Sequence, residues 1–520
     1  MLPVPSPPIR SLDAASSSQP DMDNPKLLLY GLAAVAASWL GKTWYDRSKF
    51  ARIPAIGSPN ALYSYVDAFR FLSRAAAVVQ QGYGTHSGNV FRLTAEMGSA
   101  PEAELSSMEA VHETLQTDFT MGSDMRLNTY HLTTIRSSLT KNLAPRFPDV
   151  HDEIVCAFED LLALEGKERR LIPVLGTMID VVARATNRLF IGLPYCRNKE
   201  FLKFSVQNTV DIMVGAQIIG MLPTFLRPII GPFISPRKRN LKTGEGYLRL
   251  LVKGRLAMEE EHGSNWEGRP NDLISWLLDA APPERCTVPS LVLHILSFNM
   301  TAILHRWCVL YRLITVRLTH SPNKTFTHAI YDLAAFPEYA SAMREEAAHA
   351  VRADGWSATA LANMHKIDSF LPESQRFNGI HVVNMMRKVM KPGGYQMSDG
   401  TLLPPGSFVS VAVRTAHHDP EFYVSPYVFD GFRFSKMRES ADAAFKHHFV
   451  TTGVDLLSFG LGKHTCPGRF FAVVELKAML AHVVLNCEVE LETEGVRPPD
   501  DEFGGMRMPN LRPGVFFRRR

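Results

Sequence analysis

The segment Phe459-Gly-Leu-Gly462-Lys-His464-Thr-Cys466-Pro-Gly468-Arg469 places one cysteine in a glycine-rich loop and runs directly into an apolar helical stretch, Phe470 to Val484. Gly462 and Gly468 allow a tight turn and a close approach of backbone N–H groups to the sulfur, where side chains would collide. Those donors and the N-terminus of the following helix favour negative charge, which predicts that Cys466 is a thiolate at neutral pH. Pro467 suits the helix start. Phe459 is placed to shield the sulfur, and His464, two residues before the cysteine, to hydrogen-bond a haem propionate. A buried structural cysteine would account for Cys466 alone. It would not account for two glycines, a phenylalanine and a basic residue at these positions, which together form the pattern of a thiolate ligand to haem iron.

Two upstream segments extend the pattern. Ser369-Phe-Leu-Pro-Glu373-Ser-Gln-Arg376-Phe holds a carboxylate and a guanidinium at i, i+3, on one helix face. Such pairs are common on solvated helices, so the motif gains meaning only from its place before Phe429-Asp-Gly-Phe-Arg433-Phe and Cys466. In that order the three segments resemble the cytochrome P450 superfamily, the haem-thiolate monooxygenases, and the resemblance runs from about Pro54 to the last residue. It implies a mainly α fold with a small β subdomain, a single large haem domain behind an N-terminal membrane anchor. It also implies heme b as cofactor, with Glu373, Arg376 and Arg433 forming a network that locks the fold behind the haem and does no bond chemistry.

Length and composition agree with one large mixed domain: 520 residues, 46% hydrophobic, give ample core-forming material. No internal repeat is evident, which excludes solenoids. A net charge of +4 is too modest to suggest a nucleic-acid partner. Basic residues gather near Lys463, Arg469 and Lys477; this reads either as a docking patch for an acidic redox partner or as an ordinary solvated face. The six cysteines (Cys156, Cys196, Cys286, Cys308, Cys466 and Cys487) contain no Cys-x-x-Cys pair, as in a reduced, cytosol-facing chain.

Residues 1–25 are rich in Pro and Ser without hydrophobic period and read as disordered. Leu27 to Gly41 carry no charge and as a helix span roughly 22 Å, short of a bilayer core of about 30 Å. Adding Lys42 to Tyr45, with Lys42 snorkelling and Trp44 and Tyr45 at the interface, brings the span to about 28 Å. Residues 26–45 are therefore expected to be a single-pass transmembrane anchor. Lys42, Arg47, Lys49 and Arg52 then place the remaining chain in the cytosol, at the endoplasmic reticulum membrane. A cleaved secretory signal, with Ala34-Val-Ala36 as its cleavage site, is the competing reading. Residues 46–60 form a linker stiffened by Pro54 and Pro59, and 61–520 the haem domain.

Helices dominate the rest. Thr117 to Arg136 is expected to be helical and to lead into Leu139 to Leu143. The resemblance assigns Arg136, in His131-Leu-Thr-Thr-Ile-Arg136, to a haem propionate, although the Trp that the family often has one turn earlier is absent. Val210 to Ile234 is apolar and punctuated by Pro223, Pro228 and Pro232, before Pro236-Arg-Lys-Arg239. In the family this region roofs the substrate channel and can dip into the membrane; a plain core helix pair is the alternative. Runs at Leu402 to Val413 and Val489 to Leu491 suggest a small sheet.

Leu291-Val-Leu-His-Ile-Leu-Ser-Phe-Asn299-Met-Thr301-Ala302-Ile303 reads as the start of the long helix that crosses the haem. In the family a threonine follows whose hydroxyl delivers protons. Here Leu304-His305-Arg306-Trp307 and the residues to Ser321 intervene before a familiar course resumes at about Asn323. One reading is a genuine basic insertion, broken by Pro322. The other, preferred because an Arg-Trp pair above the haem would disrupt close packing, is an aberrant insertion over 304–321 from a retained intron. Thr301 is the nearest surviving hydroxyl and the candidate for the catalytic role; Thr319 and Ser321 are alternatives. The sequons Asn299-Met-Thr and Asn323-Lys-Thr fall in or beside this helix and read as unglycosylated.

The resemblance thus implies a microsomal monooxygenase. It would take O2 and electrons from an NADPH-cytochrome P450 reductase and hydroxylate a hydrophobic polycyclic substrate, terpenoid or steroid-like, in fungal secondary metabolism. His447-His-Phe-Val and Cys466-Pro-Gly-Arg-Phe-Phe-Ala are most similar to fungal members grouped with ent-kaurene oxidases. A reductase-independent isomerase or dehydratase, and an inactive product of an unspliced message, remain as alternatives.

Overall fold

The computed structural model describes residues 48–57, 63–86, 90–303, 322–439, 446–510 and 513–520, together with Tyr30, Ala37, Ser38, Gly41, Lys42, Trp44 and Tyr45. Helices α1 (Tyr63–His86), α2 (Val90–Ser99) and α3 (Ser107–Leu115) open the described chain. Ser106 caps α3, accepting from the Glu109 N–H. The central body follows as α4 (Thr140–Leu162), α5 (Val174–Phe190), α6 (Lys199–Met221), α7 (Arg227–Ile234), α8 (Arg237–His262), α9 (Leu273–Ala280), α10 (Val288–Ile303), α11 (Pro322–Ala335), α12 (Glu338–Asp354), α13 (Ile367–Phe377) and α14 (Arg469–Asn486).

The core is built around α5. Its Val174, Met178, Val181, Val182, Ala185 and Leu189 recur at helical spacing and are fully buried. Ala183, Thr186 and Asn187 on its other faces are buried too, as in a helix surrounded by its neighbours. Helix α4 packs along α5 through a stripe that includes Phe147, Val150, Ile154 and Phe158, and both α10 and α11 lie against α5. Helix α14 is buried from Leu476 through Val484 and packs on α4 and α12.

The strands are β1 (Leu105–Ser106), β2 (Arg169–Ile172), β3 (Asn384–Val389), β4 (Tyr395–Gln396), β5 (Leu402–Leu403), β6 (Phe408–Val411), β7 (Cys487–Leu491), β8 (Asp501–Phe503), β9 (Met506–Met508) and β10 (Val515–Arg519). They form small antiparallel sheets: β3 between β1 and β6, β10 between β2 and β7, and the pairs β4–β5 and β8–β9. Val515 of β10 stands opposite Ile172 and Leu491, so β10 joins the segment before α5 to the segment after α14.

Several sequence expectations need correction. The helix expected over Thr117 to Arg136 is broken into Asp118–Gly122, Ser123–Leu127, Tyr130–Thr133 and Thr134–Leu139. Gly122 takes φ +109 and Asn128 is extended, so the helical path cannot continue through either. By contrast, the β-like runs read around Leu402 to Val413 and Val489 to Leu491 are strands: β5 and β6, parted by a turn at Pro404-Pro405-Gly406, and β7. The apolar run from Val210 divides at Pro223: α6 ends at Met221 and α7 starts at Arg227. Lys477 belongs to no surface patch. It is buried on α14 and its Nζ lies 2.9 Å from Asp368 Oδ1. Among the described residues no helix is long and apolar enough to cross a membrane. Most of the expected anchor over 26–45, and the segment 304–321, lie outside the described residues.

Candidate functional site

The cysteine loop is closed by its own backbone. Cys466 N–H donates to Phe459 O at 2.8 Å, and Thr465 Oγ1 donates to Gly462 O at 2.7 Å. Arg469 Nη1 donates to Cys466 O at 3.0 Å. Gly460 and Gly462 take φ +77 and +68, the left-handed region that favours glycine. A Cβ on Gly462 would also collide with the backbone oxygen of Gly98 at the end of α2. Gly468 has φ −85, outside the left-handed region, so the tight turn falls at Gly460 and Gly462, while the Gly468 N–H does reach the Cys466 sulfur as expected.

Cys466 is accessible to solvent, yet enough protein surrounds it for burial to push its thiol upward. Accessibility and enclosure together describe a side chain facing an internal cleft. The Gly468 N–H, the Arg469 charge and the Arg469 N–H pull the other way but do not outweigh burial. Burial thus works against the thiolate that the loop's donors favour; coordination to a metal deprotonates a thiol outright.

His464 engages the N-terminal turn of α3. Its Nδ1 lies 3.1 Å from Ser107 Oγ and 3.1 Å from Glu102 Oε2, and its Nε2 3.4 Å from Ala100 O. Burial raises Glu102, but hydrogen bonds from Ser106, Met108 and Ser107 and the charge of His464 hold it below the usual carboxylate range. Phe459 is half-buried, with its ring 5.5 Å from that of Phe449.

Glu373, Arg376 and Arg433 meet in the core. Arg376 forks onto Glu373, Nε to Oε2 at 2.7 Å and Nη2 to Oε1 at 2.8 Å, while its Nη1 donates to the carbonyls of His417 and Pro426. Arg433 Nε reaches both oxygens of Glu373 at 3.1 and 3.2 Å, and its Nη1 and Nη2 donate to Val424 O and Val428 O. Every lone pair of the carboxylate is engaged, which is what a buried ion cluster requires.

Arg136 lies in the turn Thr134–Leu139, exposed, with no hydrogen bond or ion pair to the described residues. Thr301 is exposed near the end of α10, although residues 294 to 300 just before it are buried; its Oγ1 donates to Ser297 O at 2.9 Å.

One residue was missed. Arg387 sits on β3 at an inward position, between buried Met385 and Val389. Burial lowers it, its Nη1 reaches Met386 O, and its buried Nε has no partner among the described residues. A charged residue at a core position of an alternating strand was the legible signal. An unsatisfied guanidinium at such a place fits a carboxylate supplied by a ligand.

Among the described residues no group of three His, Cys, Asp or Glu could hold a bare metal ion. A single loop thiol, with a buried guanidinium short of a partner at Arg387, fits an iron that arrives with its other ligands in a porphyrin, whose propionates need cations.

The family model of Cytochrome P450 matches residues 320–515. Cytochrome P450 monooxygenase 151 of Postia placenta is 37% identical over 508 residues, covering 94% of this chain and 98% of that protein. Ent-kaurene oxidase P450-4 of Gibberella fujikuroi is 27% identical, covering 91% of this chain and 93% of its own length. The crystal structure of the cytochrome P450DA heme domain superposes with a TM-score of 0.57 at 14% identity, over 83% of this chain and 86% of that one, a likeness of fold alone. With a relative this similar along nearly its whole length, the chain belongs to the cytochrome P450 monooxygenases, a family that implies a haem-thiolate cofactor.

Proposed function

We propose that this chain binds heme b through Cys466 and hydroxylates a hydrophobic polycyclic molecule, terpenoid or steroid-like, with O2 and electrons that an NADPH-cytochrome P450 reductase delivers. The observation that carries the reading is the loop: Cys466 is held at the start of α14 by the Phe459 carbonyl and turned toward an enclosed but accessible space. When bound, haem supplies oxygen activation, and a thiolate ligand favours O–O cleavage. The chain's own residues supply position and charge. Arg387 and Arg136 are the cations for the propionates; His464, expected among them, instead spends both ring nitrogens on Ser107, Glu102 and Ala100 and ties the loop to the start of α3. Phe459 covers the sulfur side, and Glu373, Arg376 and Arg433 hold the loop from behind. Thr301 is the hydroxyl offered for proton transfer.

The same reading places the protein at the endoplasmic reticulum membrane with its catalytic domain in the cytosol. Its support is the uncharged run Leu27 to Gly41, followed by Lys42, Arg47, Lys49 and Arg52. Met221, Phe225, Ile229 and Phe233 on α6, α7 and their connection are all more than 60% exposed, and form an apolar surface beside Arg237 and Lys238 that suits a lipid interface.

The test is the reduced carbon monoxide difference spectrum of the expressed chain and of Cys466→Ser. A Soret band at the thiolate-ligated position in the parent, lost in the variant, supports the assignment. If the band appears only after residues 304–321 are deleted, the chain as written is not the working enzyme. Oxidation of NADPH on adding reductase then separates the monooxygenase from a reductase-independent isomerase or dehydratase.

A further inference from the structure

Helix α5 reaches both the helix that begins just after Cys466 and the helix that carries Thr301, and it does so within its last turn. Phe190 meets Phe298 of α10 edge-on, with ring centroids 6.0 Å apart, and lies 6.4 Å from Phe471 of α14. One turn earlier, Asn187 Nδ2 donates to Asn299 Oδ1 of α10 at 2.8 Å, and Thr186 Oγ1 donates to Glu475 Oε1 of α14 at 3.3 Å. Position 190 neighbours both 186 and 187 on the helix surface. Phe471 and Glu475 are neighbours in the same way, while Phe298 and Asn299 are adjacent in the chain. The result is a two-storey contact, aromatic above and polar below, with α5 as the spacer.

The polar storey is costly. Thr186, Asn187 and Asn299 are fully buried and Glu475 nearly so, in the middle of the apolar core. Buried polar groups must be bonded to avoid a penalty, and apolar side chains of similar size commonly serve stability as well or better. What a hydrogen bond adds is direction and register. The amides are oriented: Asn299 Nδ2 is tied to Ile295 O of its own helix and Asn187 Nδ2 also holds Ala183 O, so the oxygen of one faces the nitrogen of the other. Thr301 lies two residues beyond Asn299, about 200° round the helix. Fastening Asn299 to α5 therefore turns Thr301 to the opposite side, and Thr301 is exposed where Asn299 is buried.

We propose that Asn187 and Asn299 are a positioning pair for the monooxygenase reaction, fixing, with the Thr186–Glu475 contact, where Thr301 of α10 stands relative to Cys466 at the head of α14. The proposal rests on the reading of Cys466 as the haem ligand. Neither asparagine touches the reacting atoms; both act through the placement of α10.

The test uses the full chain with Asn187→Ala, Asn299→Ala and the double variant, each loaded with haem. Amide hydrogen exchange along α10 and the spin-state balance of the resting ferric spectrum are the readouts. Each single variant should raise exchange in the last two turns of α10 at least about tenfold, as expected when one fastening contact of a two-state opening is lost. Exchange in α4 should stay unchanged, and the spin-state balance should shift. The effect of the double variant should fall short of the sum of the singles, since the bond between the two asparagines is lost only once. Unchanged exchange in α10, a uniform rise through α4 as well, or additive effects in the double variant would overturn the proposal. Should the alanine variants not load haem, exchange is read on the unloaded variants against the unloaded parent, with the same criteria. Failure of the underlying haem reading is distinguishable, because the parent itself would then lack the thiolate-ligated carbon monoxide band.

Discussion

Leu457 donates its backbone N–H to Nε2 of His417 at 3.0 Å, while the carbonyl of the same His417 accepts from Arg376 Nη1 at 2.7 Å. His417 is thus the joint between the Glu373 cluster and the loop that reaches Phe459 two residues later. Burial, with His418 and Arg376 adding to it, pushes His417 down to about 3, so its ring is neutral and its Nε2 remains an acceptor throughout the physiological range. His417→Ala leaves a buried N–H without an acceptor, a loss of about 1–3 kcal/mol. The urea midpoint should fall accordingly, and haem content per protein with it. An unchanged midpoint would show that the loop does not depend on this ring.

Arg376→Lys should be far worse than its formal conservatism suggests. The guanidinium makes two bonds to Glu373 and two to carbonyls, at four different directions. An ammonium has three donors and no fork. Breaking a fully buried pair of this kind costs about 3–5 kcal/mol. The variant is expected to yield little soluble protein and no reduced carbon monoxide band, whereas Lys436→Ala, which removes an exposed pair with Asp430, should leave both unchanged.

What could be read from the sequence, and what could not, divides by the range of the interaction. Glu373, Arg376 and Arg433 were legible because helix spacing and chain order carry a local motif, and the family resemblance supplied their long-range meeting. The loop around Cys466 was legible because one short segment, from the Phe459 carbonyl to the helix that opens at Arg469, contains it whole. His417 was not, since its role arises from contacts 40 and 41 residues away in sequence. Lys477 was misread for the opposite reason: on a helix buried on all sides, a lysine looks like surface until its partner Asp368, 109 residues upstream, is known. The left-handed turn expected at Gly462 and Gly468 falls at Gly460 and Gly462, because a glycine's φ depends on where the loop turns, which a pattern of glycines alone does not fix.

The apolar surface around α7 offers a direct test of the membrane reading. Phe233 is 89% exposed and Phe225 67%, near Arg237 and Lys238. Replacing both phenylalanines by Ser in a chain lacking residues 1–45 should reduce co-sedimentation with vesicles containing anionic lipid. The effect should be a tenfold or greater loss of partitioning, from about 1.5–3 kcal/mol of burial per large apolar side chain. The ferric spectrum should not change. Equal sedimentation of variant and parent would assign these phenylalanines to some other contact.

Glu475 gives the fold a stability profile with an alkaline arm. Burial pushes its carboxyl up to about 8, against a hydrogen bond from Thr186 that lowers it, while in the unfolded chain it titrates near its ordinary value of about 4.3. Between those values the unfolded chain has released a proton that the folded protein retains. Stability attributable to this group is therefore full below about pH 4 and is lost as pH rises toward 8, with a slope of up to about 1.4 kcal/mol per pH unit. Four buried or half-buried histidines give the opposite arm. His131, His151, His418 and His482 are pushed down to about 4 by burial. The unfolded chain takes up their protons from about pH 6.5 downward and the fold does not. Glu475→Gln removes the alkaline arm and leaves the acidic one. The difference in urea midpoint between variant and parent should grow in the variant's favour from pH 5 to pH 8 and then level off, whatever its starting value. A difference that does not change with pH would mean that Glu475 is ionised in the fold, and that the Thr186 hydroxyl and unseen solvent are enough to hold its charge inside the core.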